Sequence, residues 1–158
     1  MPARTDKPSP RARPSRYPTL DDKLCFAIYA SSLAVLQSYK PMLAAIGLTY
    51  PQYLVMLVLW EEDCITVKRL AERLGLDPGS VTPLVKRLEE SSFVVRNRAT
   101  DDERNLSIEL TSEGRALQAK AEHASSQFVT ACDLDQAEGG ELRDKLALLA
   151  RTLRAAEP

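Results

Sequence analysis

Glycine is scarce in this sequence, with 6 residues among 158. That scarcity, together with leucine-rich periodic stretches, disfavours a β-sandwich or a doubly wound sheet and predicts a mostly α-helical protein. An excess of charge of one sign is also lacking, because the formal net charge is -1. No global field therefore attracts the chain to nucleic acid, and any DNA contact must come from local clusters of arginine and lysine. The 44% hydrophobic content is enough to build one core.

Long apolar runs are absent as well. No apolar stretch of about 18 residues is available for a membrane span, and the basic, proline-rich N-terminus has no apolar signal-peptide core. We therefore expect a cytoplasmic protein with no membrane partner. Residues 1–18 are expected to form a disordered tail, either simply solvated or weakly touching DNA phosphates.

Metal-ligating side chains are few. The chain has one histidine, His123, and three cysteines, Cys25, Cys64 and Cys132, with no CxxC pair. In the cytoplasm these cysteines are not expected to form a structural disulfide framework. We expect no metal and no cofactor, and we place His123 on the surface because it has no partner ligands. A redox role for the cysteines stays open.

The first half of the chain reads as two helices. One helical pattern begins at Asp21, with a kink or break expected at Pro41 and an end at Gly47. Thr49 is a plausible cap for the next helix, whose apolar stretch at residues 53–60 is too continuous to face water. This second helix should therefore lie in the core.

Two short amphipathic helices follow a polar turn at residues 61–65. Thr66 can cap the first, which Gly75 closes, and Asp77 with Pro78 starts the second. Both repeat apolar residues at i, i+3, i+4 and i+7. The first buries Val67, Leu70, Ala71 and Leu74, and the second Val81, Leu84, Val85 and Leu88.

The last part of the chain predicts a hairpin and two helices. Residues 93–95 and the alternating residues 106–110 should form two strands around a charged tip at 96–105. Thr111 can cap a long helix to about Cys132. A break at the two glycines 139–140 should precede a final helix with a leucine face. That face could pack within the monomer, but on so small a core it favours a dimer interface. Its members are Leu142, Leu146, Leu149 and Leu153.

Helix, turn, helix and charged hairpin is the organisation of a winged helix-turn-helix, whose second short helix enters the DNA major groove. We expect a mostly α fold with a small β-hairpin wing and a helical dimerisation domain. The predicted parts are the tail at 1–18, a dimerisation and sensor segment at 19–46, the winged helix-turn-helix at 47–111 and dimerisation helices at 112–158.

The predicted recognition helix turns several groups away from its apolar face, where they can meet DNA. These are Ser80, Thr82, Pro83, Lys86 and Arg87. Pro83 removes one helical amide, so we expect a loosened first turn. On the hairpin an arginine can enter the minor groove while others contact the backbone, and an aspartate can hold one of them extended. The hairpin residues concerned are Arg96, Arg98, Asp102 and Arg104. Taken singly, each of these charges could be an ordinary solvated residue.

Three segments carry a family resemblance. DERNLSIELTSEGRAL, from Asp102 to Leu117, resembles the wing and following helix of the MarR family of multiple-antibiotic-resistance regulators. LCFAIYA from Leu24, LTYPQYLVMLVLWE from Leu48 and TPLVKRLE from Thr82 resemble its organic-hydroperoxide sensors, the OhrR group. The resemblance covers residues 21–121 and implies an obligate homodimer that binds double-stranded operator DNA.

The resemblance also implies roles for individual residues. Cys25 corresponds to the peroxide-sensing cysteine, and Tyr39 and Tyr50 to tyrosines of the partner subunit that donate hydrogen bonds to it. Tyr29 would sit beside the site. Cys132 lies where two-cysteine members carry a resolving cysteine, which implies a disulfide with Cys25 between subunits that releases DNA. Cys64, near a turn, is expected to be structural or incidental.

The chemistry suits those residue types. A thiol with a pKa near 8.5 is only about 3% thiolate at pH 7, and the thiolate attacks a peroxide. Two phenolic donors aimed at sulfur would stabilise the anion. Because a thiol peroxidase would leave the DNA-reading residues without a use, we expect a repressor rather than an enzyme. The alternatives are a MarR-type repressor that responds to a small aromatic ligand, a thiol peroxidase and, least favoured, a metal sensor.

Overall fold

The computed structural model describes residues 18–98 and 106–156. Its helices and strands are, in order, α1 (Leu24–Ala44), α2 (Tyr50–Glu61), β1 (Ile65–Thr66), α3 (Val67–Leu74), α4 (Pro78–Glu90), β2 (Val94–Arg98), β3 (Leu106–Leu110), α5 (Ser112–Ala116), α6 (Gln118–Ala131) and α7 (Gln136–Ala155). The expected mostly α fold with a small hairpin is confirmed. None of the helices in these residues combines the length and apolar character that a bilayer-spanning segment needs.

The chain divides into two compact units, Met1–Gln37 and Ser38–Pro158. In its described residues, the first unit holds the N-terminal two thirds of α1. The second holds the rest of α1 and every other element. The four-part division into tail, sensor segment, winged helix-turn-helix and dimerisation helices stays a prediction.

Helix α1 differs from the expectation at Pro41. The helix does not break there but continues to Ala44. Proline removes one backbone donor, and the remaining turn is closed by the amide of Ala45 to the carbonyl of Pro41 at 3.3 Å. Gly47 then ends the segment in the left-handed region at φ 75°, as predicted.

The core of the second unit forms around α2. Thr49 precedes this helix as its N-cap, and the Gln52 side chain accepts a hydrogen bond from the Thr49 amide at 2.8 Å. The predicted apolar stretch is largely buried, with Met56 and Leu59 almost wholly inaccessible, and α2 contacts both α3 and α4. Fully buried members of this core include Leu43, Met56, Leu59, Leu70, Val81, Val85, Leu88, Val94 and Ile108.

The sheet has three strands rather than the two expected. Its order is β1-β3-β2, all antiparallel, with Ile65 opposite Ile108 and Val94 opposite Leu110. The sequence predicts a polar turn at residues 61–65, but pairing of Ile65 with the buried Ile108 makes residues 65–66 a short strand. Strand β2 also extends to Arg98, so part of the predicted polar tip is strand.

Two corrections concern the C-terminal helices. The single long helix expected from Thr111 is two, because α5 ends at Ala116 and α6 begins at Gln118. The expected break at the two glycines is wrong, since α7 begins at Gln136 and runs through both. Asp135 caps α7 with bonds of 2.8 and 2.9 Å to two backbone amides, and this cap offsets the poor helix propensity of glycine.

Candidate functional site

Helix α4 is the predicted recognition helix, and its N-terminus is well fixed. The Asp77 carboxylate accepts the amide of Ser80 at 2.9 Å and the hydroxyl of Ser80 at 2.5 Å. These bonds hold the pKa of Asp77 below its ordinary value, the side-chain bond from Ser80 being the main cause. Val81, Val85 and Leu88 anchor the opposite face in the core. The helix is thus held by a cap at one end and by apolar burial along its length.

All five predicted DNA-facing residues of α4 are exposed on the side away from the core: Ser80, Thr82, Pro83, Lys86 and Arg87. The Thr82 hydroxyl donates to the carbonyl of Pro78 at 2.8 Å, and Lys86 lies 3.9 Å from Glu90. The expected loosening at Pro83 does not interrupt the helix, which is continuous from Pro78 to Glu90. Lys86 and Arg87 therefore place two cations on the exposed face of the C-terminal half of α4, where they are available to DNA phosphates.

An ionic network that sequence reasoning missed fixes α3 against the end of α2. Glu62 accepts hydrogen bonds from Arg69 at 3.1 Å and from Arg73 at 2.9 Å, and Arg73 also reaches Glu61 at 2.5 Å. The bond from Arg69 is the main reason that the pKa of Glu62 is lowered. Charges 7 to 12 positions apart carry no local spacing signal, so only the fold shows this pairing.

A second missed cluster joins the loop after α2 to the base of the wing. Asp63 accepts the amide of Leu110 at 2.9 Å through one carboxylate oxygen and Arg115 at 2.5 Å through the other. The neighbouring Cys64 has φ 59° and is exposed. Partial desolvation, then the carboxylates of Asp63 and Glu109, raise the pKa of the Cys64 thiol. A thiol with a raised pKa carries less thiolate, in keeping with an incidental role for Cys64.

Among the predicted hairpin residues, Arg96 lies on β2 and binds back to α4. Its Nε donates to the Glu89 carboxylate at 2.8 Å, and its Nη2 reaches the same oxygen. The bond from Arg96 holds the pKa of Glu89 below its ordinary value. The backbone of Arg98 pairs with Leu106 at the end of the ladder. The predictions for Asp102 and Arg104 lie outside the described residues.

Tyr39 and Tyr50, the two predicted thiolate-supporting phenols, lie together in the second unit. Their ring centroids are 5.3 Å apart. Tyr53, which was not predicted for the site, approaches both, and Phe128 of α6 stacks on Tyr39 at 4.7 Å. Tyr39 is 6% exposed. Together, Tyr39, Tyr50, Tyr53 and Phe128 form an aromatic cluster with two predicted site residues at its centre.

Burial keeps these phenols protonated. It raises the pKa of Tyr39 to about 12, with smaller contributions from Tyr53 and Tyr50 and a partly opposing one from the Ser125 hydroxyl. Burial likewise raises the pKa of Tyr50, and the neighbouring Tyr53 adds to the rise. A protonated phenol is a hydrogen-bond donor. Both side chains therefore remain donors across the physiological pH range.

The raised pKa of Tyr39 predicts an alkaline loss of stability. Between pH 10, where an ordinary phenol ionises, and pH 12, the unfolded chain gives up a proton that the folded chain keeps. The free energy of unfolding should therefore be unaffected by Tyr39 below pH 10 and fall by up to about 2 kcal/mol across that window. Urea unfolding at several alkaline pH values should show a shallower fall for Tyr39→Phe. Equal slopes in the two proteins would contradict the assignment.

The three remaining residues of the predicted redox site, Cys25, Tyr29 and Cys132, are exposed in the single chain. Cys25 and Tyr29 stand at i and i+4 on one face of α1, and Tyr29 is 60% exposed. Cys132 directly follows α6 with helical backbone angles. It therefore shares a face with Phe128, four residues earlier, and lies one turn from the aromatic cluster.

Exposed leucines also mark the surface of α7. This helix has no buried residue in the single chain, and Leu142, Leu146 and Leu153 are each 45% exposed or more. His123 is exposed, and its ring Nε2 lies 3.1 Å from the side-chain amide nitrogen of Gln127. The described residues contain no group of three or more side chains that could hold a metal ion.

Comparison with known proteins places this architecture in a family. The model of the transcriptional regulators SarA/Rot matches residues 37–120. The organic hydroperoxide resistance transcriptional regulator of Bacillus subtilis is 46% identical over 102 residues, covering 65% of this chain and 69% of that protein. The regulator TtmR of Methylorubrum extorquens is 54% identical over 102 residues, which cover 65% of this chain but only 52% of TtmR.

Solved structures agree. Reduced AbfR bound to DNA is 37% identical and matches with a TM-score of 0.74, covering 86% of this chain and 93% of that chain. The disulfide-formed AbfR, also 37% identical, matches with a TM-score of 0.61, covering 86% of this chain and 90% of that chain. AbfR comes from Staphylococcus epidermidis. The matched family model, the curated relatives and the winged-helix architecture together show that this chain belongs to the SarA/Rot and MarR family of DNA-binding transcriptional regulators.

Proposed function

We propose that the protein is a homodimeric repressor that binds operator DNA in its reduced form and is released by organic hydroperoxide. Cys25 reacts with the hydroperoxide, and the oxidised sulfur then forms a disulfide with Cys132 of the partner subunit. Lys86 and Arg87 of α4 contact DNA phosphates, with Ser80, Thr82 and Pro83 at the groove.

One observation carries the redox part of the proposal. Tyr39 and Tyr50, the proposed donors to the thiolate, lie close to Cys132, the proposed resolving cysteine, within one subunit. Phe128 makes this connection, because it stacks on Tyr39 and precedes Cys132 by one helical turn. One turn of α-helix advances about 5.4 Å. A partner's cysteine that binds at the two phenols therefore arrives within reach of Cys132 after a local movement, since a disulfide needs Cα atoms within about 7 Å.

The reaction balances as a two-electron oxidation. The Cys25 thiolate attacks one oxygen of the O–O bond, that bond breaks, and the alcohol leaves with a proton while sulfur becomes a sulfenic acid. The Cys132 thiol then attacks this sulfur, a disulfide forms and water leaves. The phenols stabilise the anion before attack. Apolar neighbours of Cys25, such as the half-buried Phe26 and Ile28, favour organic hydroperoxides over hydrogen peroxide.

A dimer accounts for the surfaces that the single chain leaves open. The leucine face of α7 and the pair Cys25 and Tyr29 are exposed, and an exposed contiguous apolar surface marks an interface. A second copy of the chain would cover the leucines and bring two phenols to each Cys25. The site is therefore complete only in the dimer.

The disulfide can act as the switch because it opposes the DNA-bound geometry. Changing an operator from 99% to 1% occupied takes about 5.5 kcal/mol of differential affinity. A covalent bond that draws the α6 end of one subunit toward α1 of the other would shift the two α4 helices out of register. The fold matches reduced, DNA-bound AbfR more closely than disulfide-formed AbfR, which supports a rearrangement on disulfide formation.

The experiment that tests the pairing uses a mixed dimer. Co-expressed Cys25→Ser and Cys132→Ser chains should give one disulfide-linked dimer band on non-reducing electrophoresis after stoichiometric hydroperoxide, because only an intersubunit bond joins the remaining pair. Each variant alone should give none. If the wild type forms a disulfide but the mixed dimer does not, the bond is within one chain and the proposed pairing is wrong.

A ligand-responsive repressor is the second candidate, and one observation favours it. An open groove of about 510 Å³ lies between residues 42–46 and α6, lined mainly by apolar groups such as Met42 and Ile46. This volume falls in the range of small-molecule sites. In that case a Cys25→Ser protein would still release DNA when given the inducer, and its hydroperoxide response would be irrelevant.

A further inference from the structure

The ion pair between Glu89 and Arg96 joins the two DNA-facing elements of the fold. Glu89 stands in the last turn of α4 and Arg96 at the centre of β2. The two side chains are about one third exposed, and both the Nε and the Nη2 of Arg96 go to one carboxylate oxygen. The intervening turn includes Ser92 in the left-handed region at φ 60°. The pair thus bridges the turn between the recognition helix and the wing.

We propose that Arg96 is a positioning residue that sets the angle of the wing relative to α4 through Glu89, and that it does not contact DNA itself. This inference rests on the family's DNA binding and is independent of the redox proposal. It also assigns a role to Glu89, which the sequence analysis did not single out.

Charge is the first argument for positioning. The Arg96 guanidinium is already neutralised by a carboxylate at hydrogen-bond distance. To bind a phosphate, Arg96 would have to leave Glu89, and an unpaired carboxylate would then stand beside the DNA backbone. Like charges at short range repel. By contrast, Arg87 is exposed on the DNA-facing side of α4, and no ion pair to it occurs within residues 18–98 and 106–156.

Leverage is the second argument. A five-residue strand is about 17 Å long, so a rotation of about 10° at the base of the hairpin displaces its far end by about 3 Å. A groove contact does not survive a displacement of that size, because hydrogen bonds tolerate only a few tenths of an ångström. At the base of the hairpin, the end of β3 is tied to the turn before β2 by the Thr111 hydroxyl, which donates to the carbonyl of Ser92 at 2.7 Å. The pair with Glu89 fixes the side facing α4.

The test measures affinity and salt dependence for a duplex that the wild-type protein selects from a random-sequence pool, with all proteins reduced. Arg96→Ala and Glu89→Gln should each weaken binding about three- to tenfold, and the double variant should be no weaker than either, because the two residues act as one unit. The slope of log affinity against log salt should stay at the wild-type value in all three. Arg96→Lys should recover only part of the loss, since lysine keeps the charge but not the guanidinium fork.

Two controls make the readout specific. Glu90→Gln removes the same charge from the adjacent position of α4 without touching the wing, and it should bind as tightly as the wild type or more tightly. Arg87→Ala should lower the salt slope by about two for the dimer, one for each subunit, which shows that the assay detects a lost phosphate contact. Thermal unfolding should confirm that each variant is folded.

The proposal is overturned by either of two results. If Arg96→Ala lowers the salt slope of the dimer by about two, one for each subunit, Arg96 contacts a phosphate directly. If Glu89→Gln binds like Glu90→Gln, at or above wild-type affinity, the carboxylate has no positioning role. Equal, non-additive losses with an unchanged slope would support it.

Discussion

Replacing Gly114 with alanine is expected to lower the free energy of unfolding by about 3 kcal/mol. A Cβ at this position would lie 2.1 Å from the backbone oxygen of Phe93, and a carbonyl at the base of the wing cannot swing aside like a side-chain tip. Gly114 also accepts the indole N–H of Trp60 at 3.0 Å. Alanine at this position would force α5 away from the base of the wing and disturb its hydrogen bond with α2.

Gly139→Ala is the matched control for that substitution. Gly139 is also helical, but a Cβ there meets nothing within 4 Å. Because alanine is the better helix former, this change should be neutral or stabilise the protein by about 0.5 to 1 kcal/mol. Urea unfolding of both variants checks the pair of expectations. A Gly114→Ala protein as stable as the wild type would show that the junction at Phe93 yields easily.

Removing both phenol hydroxyls, in Tyr39→Phe with Tyr50→Phe, is expected to slow the reaction of Cys25 with organic hydroperoxide about thirtyfold at neutral pH. The loss follows because the sulfur would no longer have two hydrogen bonds that stabilise its anion, and an unassisted thiol is only about 3% thiolate at neutral pH. The ultraviolet absorbance of the thiolate at neutral pH reports the ionised fraction, and stopped-flow mixing with cumene hydroperoxide reports the rate.

Tyr53→Phe is the control for this double change. It removes a buried hydroxyl from the same aromatic cluster, 5.6 Å from Tyr39 by ring centroids, without removing either proposed donor. Its reaction rate should stay within a fewfold of the wild type. If Tyr53→Phe slows the reaction as much as the double variant does, the effect comes from packing of the cluster, and hydrogen bonding to sulfur is not its cause.

Local chemistry made much of the fold predictable. The helices predicted to begin at Thr49, Thr66, Asp77 and Thr111 do begin there. The side chains of Thr66, Asp77 and Thr111 accept a backbone amide of the first turn, and at Thr49 the side chain of Gln52 accepts the cap residue's own amide. The spacing of apolar residues, with a period of 3.6 in helices and 2 in strands, likewise located the helix-turn-helix and the hairpin. These signals lie within a few residues and are legible in one sequence.

Interactions across the fold could not be predicted in this way. Strand β1 exists because Ile65 pairs with Ile108, 43 positions later. The ion pairs Asp63 with Arg115 and Glu89 with Arg96 likewise depend on which elements become neighbours. At the redox site, family resemblance supplied Tyr39 and Tyr50. The stack of Phe128 on Tyr39, which connects them to Cys132, needed the packing of α6 to become visible.

The most direct test of the central claim is DNA binding by the reduced dimer before and after one equivalent of cumene hydroperoxide per Cys25, with Cys25→Ser and Cys132→Ser alongside. Stoichiometric oxidant keeps sulfur from passing beyond the sulfenic acid to irreversible states. The account predicts that the wild type leaves DNA, that Cys25→Ser stays bound, and that Cys132→Ser forms no disulfide and does not show the full release. If the wild type stays bound, or Cys25→Ser is released equally well, the protein is not a cysteine-based hydroperoxide sensor.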